Sequence, residues 1–473
     1  MFSKLKELLH KNFPFQPTVG QSQLVDHLVV FMNDKSVRKL FVLKGYAGTG
    51  KTTFTNTLIK SLPELNFKYV LLAPTGRAAK VLANYTNRQA FTIHKKIYNI
   101  AHDKAGRAVT SLRENKHTNT LFIIDEASMI GNSETDAEAS FGQRKLLDDL
   151  FEYVYSGKNC FMMFIGDTAQ LPPVKLNISP ALDIELLGFD YNTHVFTHEL
   201  KDVVRQQKDS GILLNATALR ILINRGDKEP VLKSVGFDDV QCLNGNEVME
   251  QLANSFNTKN ADDAIVITRS NKQANRYNQY IRNNLFEQTD EISAGDQLMV
   301  LKNNYFWLGD ESEAGFIANG DVVRVKSVQN IDEQYGFRFA DVRIKLVDYP
   351  DEPELDVKIL LDTIYAETPA LSNTDSRKLW DGIFAGYEKV KSMKARMDEV
   401  RGNEFFNALQ VKFAYAVTCH KAQGGQWKNV FVDQGYMTEE SYTTEHLRWL
   451  YTAVSRATEK LYYVNFEDRF FRK

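Results

Sequence analysis

The chain has 473 residues, of which 43% are hydrophobic, 11% aromatic and 25% charged. This length predicts several domains, and this composition excludes a disordered, collagen-like or low-complexity protein. The 58 Lys and Arg residues nearly balance the 60 Asp and Glu residues, so the formal net charge is −2. The molecule as a whole therefore does not attract a polyanion, and any contact with nucleic acid must occur in a local groove.

The first residues and the cysteines bear on the compartment. The segment from Met1 to His10 places charges between its apolar residues, unlike a signal peptide, and no 18 apolar residues run together. The three cysteines, Cys160, Cys242 and Cys419, are far apart, so they predict neither a disulfide framework nor a zinc site. We expect an intracellular, cytoplasmic protein that has no membrane association.

The first 200 residues alternate short apolar runs with amphipathic helical stretches. This rhythm is typical of a parallel α/β sheet covered by helices on both faces. The runs are Leu40–Leu43, Tyr69–Ala73, Leu121–Ile124 and Cys160–Ile165. Two later runs and a closing strand predict a second α/β domain made of two separated pieces, and these are Ala264–Thr268, Asn429–Asp433 and Lys460–Asn465.

Between those two pieces the sequence changes character. Three segments alternate apolar and polar residues at short spacing, with turn residues between them: Asp321–Val328, Phe337–Val347 and Glu354–Asp362. This pattern predicts a small β-barrel inserted from residue 298 to about residue 368. Residues 374–409 are charged, with apolar residues at helical intervals, and predict a helical arm.

The first motif that carries chemistry is a glycine-rich loop that follows Leu40–Leu43 and opens a helical segment. It reads Gly45-Tyr-Ala-Gly-Thr-Gly-Lys-Thr52, which in this context predicts a P-loop. Its backbone N–H groups would turn toward a phosphate, Lys51 would reach the terminal phosphates, and the Thr52 hydroxyl would bind Mg²⁺. The expected nucleotide-binding residues of this loop are Gly45, Ala47, Gly48, Thr49, Gly50, Lys51, Thr52 and Thr53.

Two further strand ends supply the groups that a P-loop requires. Asp125 and Glu126 follow Leu121–Ile124, and we expect Asp125 to hold Mg²⁺ and Glu126 to activate the attacking water. A third strand ends at Gly166-Asp-Thr-Ala-Gln170, which places the Gln170 amide at another sheet edge, to contact the γ-phosphate and a neighbouring domain. The alternative at both places is an ordinary polar turn.

Taken in chain order, these and the remaining motifs resemble those of superfamily 1 helicases, specifically the RecD/Dda-like branch that includes the Pif1-type enzymes. The resemblance spans nearly the whole chain. Its segments are Pro17–Gln21, Ala73–Lys80, Thr92–His94, Asp125-Glu126, Gly166–Gln170, Leu200–Gln206, Thr418–Gly425 and Tyr451–Ala457. One departure is Ser455, where many relatives carry Thr, and this change keeps the hydroxyl.

The resemblance implies roles in the nucleotide cleft beyond the P-loop. Gln21 would read the adenine, Gly425 would lie at the nucleotide, and Arg205 and Arg456 would bring positive charge to the γ-phosphate from a second domain. With Lys51, Glu126 and Gln170, these two arginines form the expected catalytic set. The implied ligands are ATP and Mg²⁺.

The resemblance also implies the contacts with nucleic acid. Single-stranded DNA would meet two groups of residues that follow strands of the two domains: Pro74, Thr75, Thr92, His94, Thr418, His420 and Lys421. Residues 95–119 lie where relatives place a strand-separating pin, but this segment is short and has no aromatic residue after Tyr98. We therefore name no residue that would split a duplex.

The fold class implied is α/β, with two RecA-like P-loop NTPase domains. A small pin insertion would interrupt the first domain, and an SH3-like β-barrel with a helical arm would interrupt the second. The expected boundaries are an N-terminal extension at 1–16, domain 1 at 17–185 with the pin at about 95–119, domain 2 at 186–297 and 410–473, and the insertion at 298–409.

The resemblance implies an ATP-dependent DNA helicase that moves 5′→3′ on single-stranded DNA, acts at single-strand/double-strand junctions, works as a monomer and lies on the nucleoid when bound to DNA. Two alternatives stay open at this point: an RNA-directed superfamily 1 enzyme, and a DNA-stimulated ATPase or translocase that does not unwind. A P-loop kinase has no use for two distant arginine motifs, and we find no carboxylate cluster that supports a nuclease. Protein partners are not indicated.

Overall fold

The computed structural model describes residues 3–102, 108–131, 145–202, 210–256, 261–308, 312 and 314–471. The strands of this part of the chain are β1 Lys39–Gly45, β2 Lys68–Ala73, β3 Ala90–Thr92, β4 Tyr98–His102, β5 Ala108–Leu112, β6 Thr118–Ile124, β7 Lys158–Gly166, β8 His194–Leu200, β9 Val240–Leu243, β10 Ala264–Thr268, β11 Gln297–Val300, β12 Val322–Gln334, β13 Phe337–Leu346, β14 Leu355–Leu360, β15 Leu409–Phe413, β16 Ala416–Thr418, β17 Trp427–Asp433 and β18 Ala457–Val464.

The α-helices of the same part are α1 Ser3–Asn12, α2 Val19–Asn33, α3 Lys51–Ser61, α4 Gly76–Thr86, α5 Ile93–Ile97, α6 Leu146–Ser156, α7 Ile184–Phe189, α8 Gly211–Arg225, α9 Asn246–Ser255, α10 Asn271–Tyr280, α11 Asn373–Gly386, α12 Met393–Arg401, α13 Cys419–Ala422 and α14 Thr444–Val454. No helix among the described residues is long and apolar enough to cross a membrane.

The first domain is a parallel sheet in the order β3-β2-β6-β7-β1-β8. Side chains of a strand alternate between its two faces, so those of β1 pack in two different cores. Phe41 and Leu43 pack in the core that holds residues of α1, α2 and α3. Leu40 and Val42 pack in the opposite core, with residues of α6. The continuous apolar run Leu40–Leu43 is therefore explained by burial on both faces.

A short hairpin interrupts the first domain where the sequence predicts the pin. Strand β4 pairs antiparallel with β5, from Tyr98 opposite Leu112 to His102 opposite Ala108. The Arg113 N–H donates to the Ile97 carbonyl at 2.7 Å, which ties the base of the hairpin to α5. Residues 103–107, which join the two strands, lie outside the described part of the chain.

The second domain is also a parallel sheet, in the order β16-β10-β17-β18-β9. Helices α8 and α14 cover one face, where Leu219 and Leu450 pack against strand residues. Helices α9 and α10 cover the other face, with Leu252 and Tyr277 in that core. Because β9 and β10 precede the inserted barrel and β16, β17 and β18 follow it, this sheet combines two separated pieces of the chain, as predicted.

The insertion is a closed barrel of β11, β12, β13, β14 and β15. Its strands pair antiparallel except β14 with β15, which run parallel. The arm formed by α11 and α12 packs on the barrel, since Leu379, Ile383 and Val400 share a core with Phe339. The fold class predicted from the sequence is confirmed. Strand β15 crosses the boundary placed at 409/410 because it closes the barrel. Strand β8 lies beyond the boundary placed at 185/186, yet it pairs with β1, so the first domain includes it and the preceding helix α7. The other domain boundaries stay predictions.

Candidate nucleotide cleft and nucleic-acid-facing edge

The P-loop lies between β1 and α3. Gly50 is the N-cap of α3 and has φ +85°, and no side chain caps the N–H groups of the first helical turn. Lys51 Nζ donates to the carbonyls of Gly45 at 2.8 Å and of Tyr46 at 2.9 Å. The amine thus lies over its own loop, where the phosphates of a nucleotide would replace these two carbonyls as its partners. The loop residues predicted to bind ATP are brought together here, and these are Gly45, Ala47, Gly48, Thr49, Gly50, Lys51, Thr52 and Thr53.

Gln21 lies behind this loop, in the first turn of α2. Its side chain accepts the Thr18 N–H at 3.0 Å, while the Thr18 hydroxyl accepts the Gln21 N–H at 3.2 Å, so the two residues form a capping box. The Gln21 amide is fully buried and donates to the Thr49 carbonyl at 3.3 Å. The structure therefore holds Gln21 against the P-loop, where an adenine-reading residue is expected.

Asp125 and Glu126 follow β6, directly beside the P-loop lysine. One carboxylate oxygen of Asp125 accepts the Glu126 N–H at 2.9 Å. Glu126 has φ +52°, an uncommon conformation for a residue with a side chain. Burial and the neighbouring Glu126 carboxylate raise the pKa of Asp125, while Lys51 acts in the opposite direction. A bound cation would stabilise the ionised Asp125 carboxylate and so offset the effect of burial on this pKa.

The oxygen donors at this place fit Mg²⁺. Magnesium prefers hard oxygen ligands and is commonly held by one or two carboxylates together with substrate phosphates. Asp125 supplies a carboxylate at the end of β6, and Thr52 supplies a hydroxyl in the first turn of α3. Lys51 links the two residues, because it directly precedes Thr52 in the chain and its positive charge acts on the Asp125 carboxylate.

Gln170 lies after β7, in the wall between the two domains. Its side chain is buried, and its Oε1 has no hydrogen-bond partner in the described part of the chain. The nearby Asp167 is also buried, and burial raises its pKa. Asp167 accepts the Ala169 N–H at 2.9 Å and the Tyr451 hydroxyl at 2.5 Å. An unpaired buried amide oxygen is costly, so Gln170 is poised for a donor that a ligand or water would bring.

Arg456 reaches this cleft from the second domain. It lies at the end of α14 and is buried, and its Nη1 is 3.9 Å from Oε1 of Glu126. The same guanidinium donates to the carbonyls of Thr452 at 3.1 Å and Gly425 at 3.4 Å, which fixes its direction. Gly425 therefore lies beside Arg456, in the cleft where the sequence predicts it.

Four residues of the second domain form hydrogen bonds with the first domain that were not anticipated from the sequence. The Tyr451 hydroxyl, which donates to Asp167, also accepts the Ala47 N–H at 2.8 Å. The Leu171 N–H donates to the Thr452 hydroxyl at 2.8 Å, and the Leu171 carbonyl accepts from the Gln423 amide at 2.7 Å. Arg448 donates to the carbonyls of Thr168 and Gln170.

A sequence signal for these contacts exists. Arg448 and Thr452 are four residues apart, so they lie on one face of α14, and Arg456 follows the end of that helix at the same spacing. Arg205, the other predicted arginine, lies in the segment 203–209, outside the described residues. Its role stays a prediction.

The residues predicted to contact DNA lie at carboxyl ends of strands in both sheets. In the first domain, Thr75 follows β2 and caps α4 by accepting the Ala78 N–H at 3.2 Å. Thr92 ends β3 and caps α5 by accepting the Lys95 N–H at 3.2 Å. Pro74 precedes Thr75 at the same edge, and His94 follows in α5. The two hydroxyls thus have a structural role as helix caps at the predicted groove.

In the second domain, the corresponding edge holds Thr418, His420 and Lys421. Thr418 ends β16, His420 is exposed in α13, and Lys421 donates to the side chain of Asn319 in the turn before β12. His94 of the first domain approaches the same loop, with its ring 6.2 Å from that of Phe316. Burial lowers the pKa of His94 to about 4, so its imidazole is neutral near pH 7.

The inserted barrel closes over this edge through charged groups that the sequence did not single out. Lys80 of α4 lies 3.1 Å from the Asp348 carboxylate and donates to the Val347 carbonyl at 2.9 Å. Asp321 lies so close to Gly76 that a Cβ on that glycine would be 2.5 Å from the carboxylate. Burial, with the nearby Asp348 charge, raises the pKa of Asp321 to about 7.

Comparison with known proteins agrees with this architecture. A family model described as an AAA domain matches residues 16–234, and one described as a UvrD-like helicase C-terminal domain matches residues 413–464. An uncharacterized protein of Acanthamoeba polyphaga mimivirus is 24% identical over 526 residues, spanning 93% of this chain and 98% of that protein. The ATP-dependent DNA helicase Dda of Enterobacteria phage T4 is 25% identical over 481 residues, spanning 94% of this chain and 99% of that protein.

A solved Pif1 helicase from Bacteroides, in complex with ADP-AlF3 and ssDNA, aligns with 96% of this chain and 94% of its own, at 16% identity and a TM-score of 0.45. The two family models fall on the two parallel-sheet domains in the order that the motifs follow, and the phage relative extends over almost the whole length. The two family models, the phage relative and the order of the motifs together support a superfamily 1 helicase of the branch that includes RecD and Dda.

Proposed function

We propose that this protein is an ATP-dependent DNA helicase that moves 5′→3′ along single-stranded DNA and separates a duplex at a single-strand/double-strand junction. The observation that carries the proposal is the approach of Arg456, from the second domain, to within 3.9 Å of Glu126 beside the P-loop. An arginine supplied across a cleft makes phosphate chemistry depend on how the two domains are arranged.

In the chemical step, each residue of the cleft has a role that its position supports. Lys51 would leave the carbonyls of its own loop and neutralise the terminal phosphates. Glu126 would accept a proton from the attacking water, and the unpaired Oε1 of Gln170 would orient that water. Arg456 would stabilise the charge that spreads over the γ-phosphoryl oxygens, and we propose the same role for Arg205 from its motif alone. Thr52 and Asp125 would hold Mg²⁺, and that ion would supply positive charge to neutralise the phosphates.

Movement along DNA would follow from the same cleft. ATP would draw Arg456 and α14 toward the P-loop, and hydrolysis would release them. The strand ends that carry Thr75 and Thr92 in one domain and Thr418 in the other would then approach and separate. If each domain grips a single strand in turn, one ATP cycle moves the protein by one step. We propose that a monomer carries out this cycle, because both halves of the cleft belong to one chain.

The experiment that tests the proposal is unwinding of a short duplex with either a 5′ or a 3′ single-stranded tail, with ATP hydrolysis followed in the same samples. We expect separation of the 5′-tailed duplex only, together with Mg²⁺-dependent hydrolysis. Separation of only the 3′-tailed duplex would contradict the direction. DNA-stimulated hydrolysis without separation would indicate a translocase, and separation of a matched RNA duplex but not of DNA would indicate an RNA-directed enzyme.

A further inference from the structure

A cavity of about 480 Å³ opens at the carboxyl edge of the second domain's sheet, outside the nucleotide cleft. It lies where β10, β17 and β18 end, and its lining includes Gln273, Arg276, Gln434, Tyr436 and Asn465. A smaller, adjoining part is lined by Arg269 and Ser270, which follow β10. Ligands of open α/β sheets bind at this edge.

The cavity continues the line of predicted DNA contacts. In the second sheet, Thr418 at the end of β16 pairs with Thr268 at the end of β10, and Thr268 pairs with Asp433 at the end of β17. Along the sheet edge from Thr418, the next strand is β10, which is followed by Arg269. The strand after it is β17, which is followed by Gln434. A single strand that crosses Thr418 therefore meets this cavity next.

Gln434 presents an unfilled hydrogen-bond acceptor at this place. Only 3% of the residue is exposed, and its Oε1 has no hydrogen-bond partner in the described part of the chain. The neighbouring Asp433 is different, because it accepts from the Gln273 amide and the Tyr277 hydroxyl, each at 2.9 Å, and from the Gly435 N–H at 2.8 Å. The hydrogen bonds to Asp433 thus fix the floor of the cavity, whereas Gln434 Oε1 can accept an N–H group of a ligand.

The rim of the cavity presents an aromatic face and positive charge. Tyr436 is 92% exposed, although it is a large aromatic residue on a loop. Arg269 and Arg276 are exposed, and neither forms an ion pair within the described residues. The acidic residue on the rim, Glu467, is already occupied, since it binds Arg469 at 2.8 Å and the Tyr442 hydroxyl at 2.8 Å.

These three features match one nucleotide of a single strand. Nucleobases offer a ring face for stacking and N–H groups along their edges, and the backbone offers phosphates for arginine. We propose that the cavity binds a nucleotide of the single strand beyond Thr418, with its base on Tyr436, a base N–H at Gln434 Oε1 and its phosphates at Arg269 and Arg276. This proposal rests on the proposed function and adds a contact site to it.

The test is an abasic scan. A fluorescent single strand long enough to cover both domains is made in versions that each lack one base, and the affinity of the full-length protein is measured by anisotropy. We expect one position, near the end bound by the second domain, at which loss of the base weakens binding by at least about fivefold. Tyr436→Ala should bind the intact strand as weakly as wild type binds the strand that lacks this base. In this variant, loss of the base at that position should weaken binding no further.

Phe189→Ala is the matched control, because Phe189 is an equally exposed aromatic residue, 89% accessible, on the first domain. It should leave the scan unchanged. An identical scan in wild type and Tyr436→Ala, with normal DNA-stimulated hydrolysis, would overturn this proposal alone. Failure of the wild type to bind a single strand or hydrolyse ATP would overturn the proposed function.

Discussion

The nucleotide cleft and the nucleic-acid-facing edge both lie between the two halves of the molecule, but different interactions join the halves at each. Across the cleft, hydroxyl and amide groups of the second domain bind the loop at 167–171, through Tyr451, Thr452 and Gln423. Across the edge, charged groups of the barrel meet α4, as in the contact between Lys80 and Asp348.

This difference gives each region its own sensitivity. Directed hydrogen bonds between buried groups depend on geometry and little on salt or pH. Contacts between charged groups respond to both, and a bound polyanion competes for the cation. We therefore expect substitutions in the cleft to act on hydrolysis and on the coupling of the domains, and those at the edge to act on binding and on pH dependence.

The largest effect is expected from Lys51→Ala, which removes a P-loop charge without disturbing a core. ATP hydrolysis should fall by at least about a thousandfold, because the terminal phosphates lose a preorganised positive partner. Thermal unfolding should stay within a few degrees of wild type. Lys60→Ala, an exposed lysine in the last turn of the same helix, is the matched control. Substantial hydrolysis by Lys51→Ala would show that the active site lies elsewhere.

A second, smaller effect is expected from Tyr451→Phe. The missing hydroxyl would leave the buried Asp167 carboxylate without its 2.5 Å donor and the Ala47 N–H without its acceptor. Leaving such groups unpaired costs roughly 1–3 kcal/mol, so the melting temperature should fall by several degrees. DNA-stimulated hydrolysis should fall as well, because the P-loop loses a tie to α14.

Tyr463→Phe is a sharp control for that substitution. Tyr463 is also a buried tyrosine of the second domain, but its hydroxyl has no hydrogen-bond partner in the described part of the chain. Removing it should be neutral or slightly stabilising. An equal loss of stability in Tyr451→Phe and Tyr463→Phe would mean that the Tyr451 hydroxyl does not join the domains. That result would contradict the difference drawn between the cleft and the edge.

The cleft illustrates what sequence reasoning reaches. A P-loop, a strand that ends in two carboxylates and the Arg456 motif each carry local signatures, so their residues could be named before their positions were known. The sheets could be predicted too, because strands such as β1 and β10 are continuous apolar runs. The contact between Arg456 and Glu126 joins parts of the chain 330 residues apart, and only the family resemblance indicated it.

The edge illustrates what sequence reasoning does not reach. Lys80 lies inside a segment already assigned to DNA contact, yet nothing local shows that its partner is Asp348 on the barrel. Asp321 begins a segment predicted to be a strand of the barrel, and nothing in that segment shows that its carboxylate is almost fully buried against Gly76. Such pairings depend on how one domain docks on another, and no periodicity or spacing within either segment encodes it. The same holds for Tyr451 and Asp167.

The smallest effect is expected at the edge, from Asp321→Asn. Because the folded-state pKa of Asp321 is raised to about 7, the folded protein binds more protons than the unfolded chain above pH 4. The stability that protonation provides is present at low pH and is lost as the pH rises through about 7. Asparagine cannot ionise, so the variant should be more stable than wild type at pH 8, by roughly 1 kcal/mol, and the gain should shrink toward pH 5.

Melting temperatures of both proteins at pH 5, 6, 7 and 8 would test this expectation. Asp356→Asn is the control, because that carboxylate pairs with Arg343 on the exposed side of the same barrel and its pKa is lowered. Its titration lies below this pH range, so it should leave the slope between pH 6 and 8 unchanged. An equal pH slope in wild type and Asp321→Asn would mean that the carboxylate is ionised throughout and is compensated by Arg77, whose positive charge opposes the rise in the pKa of Asp321.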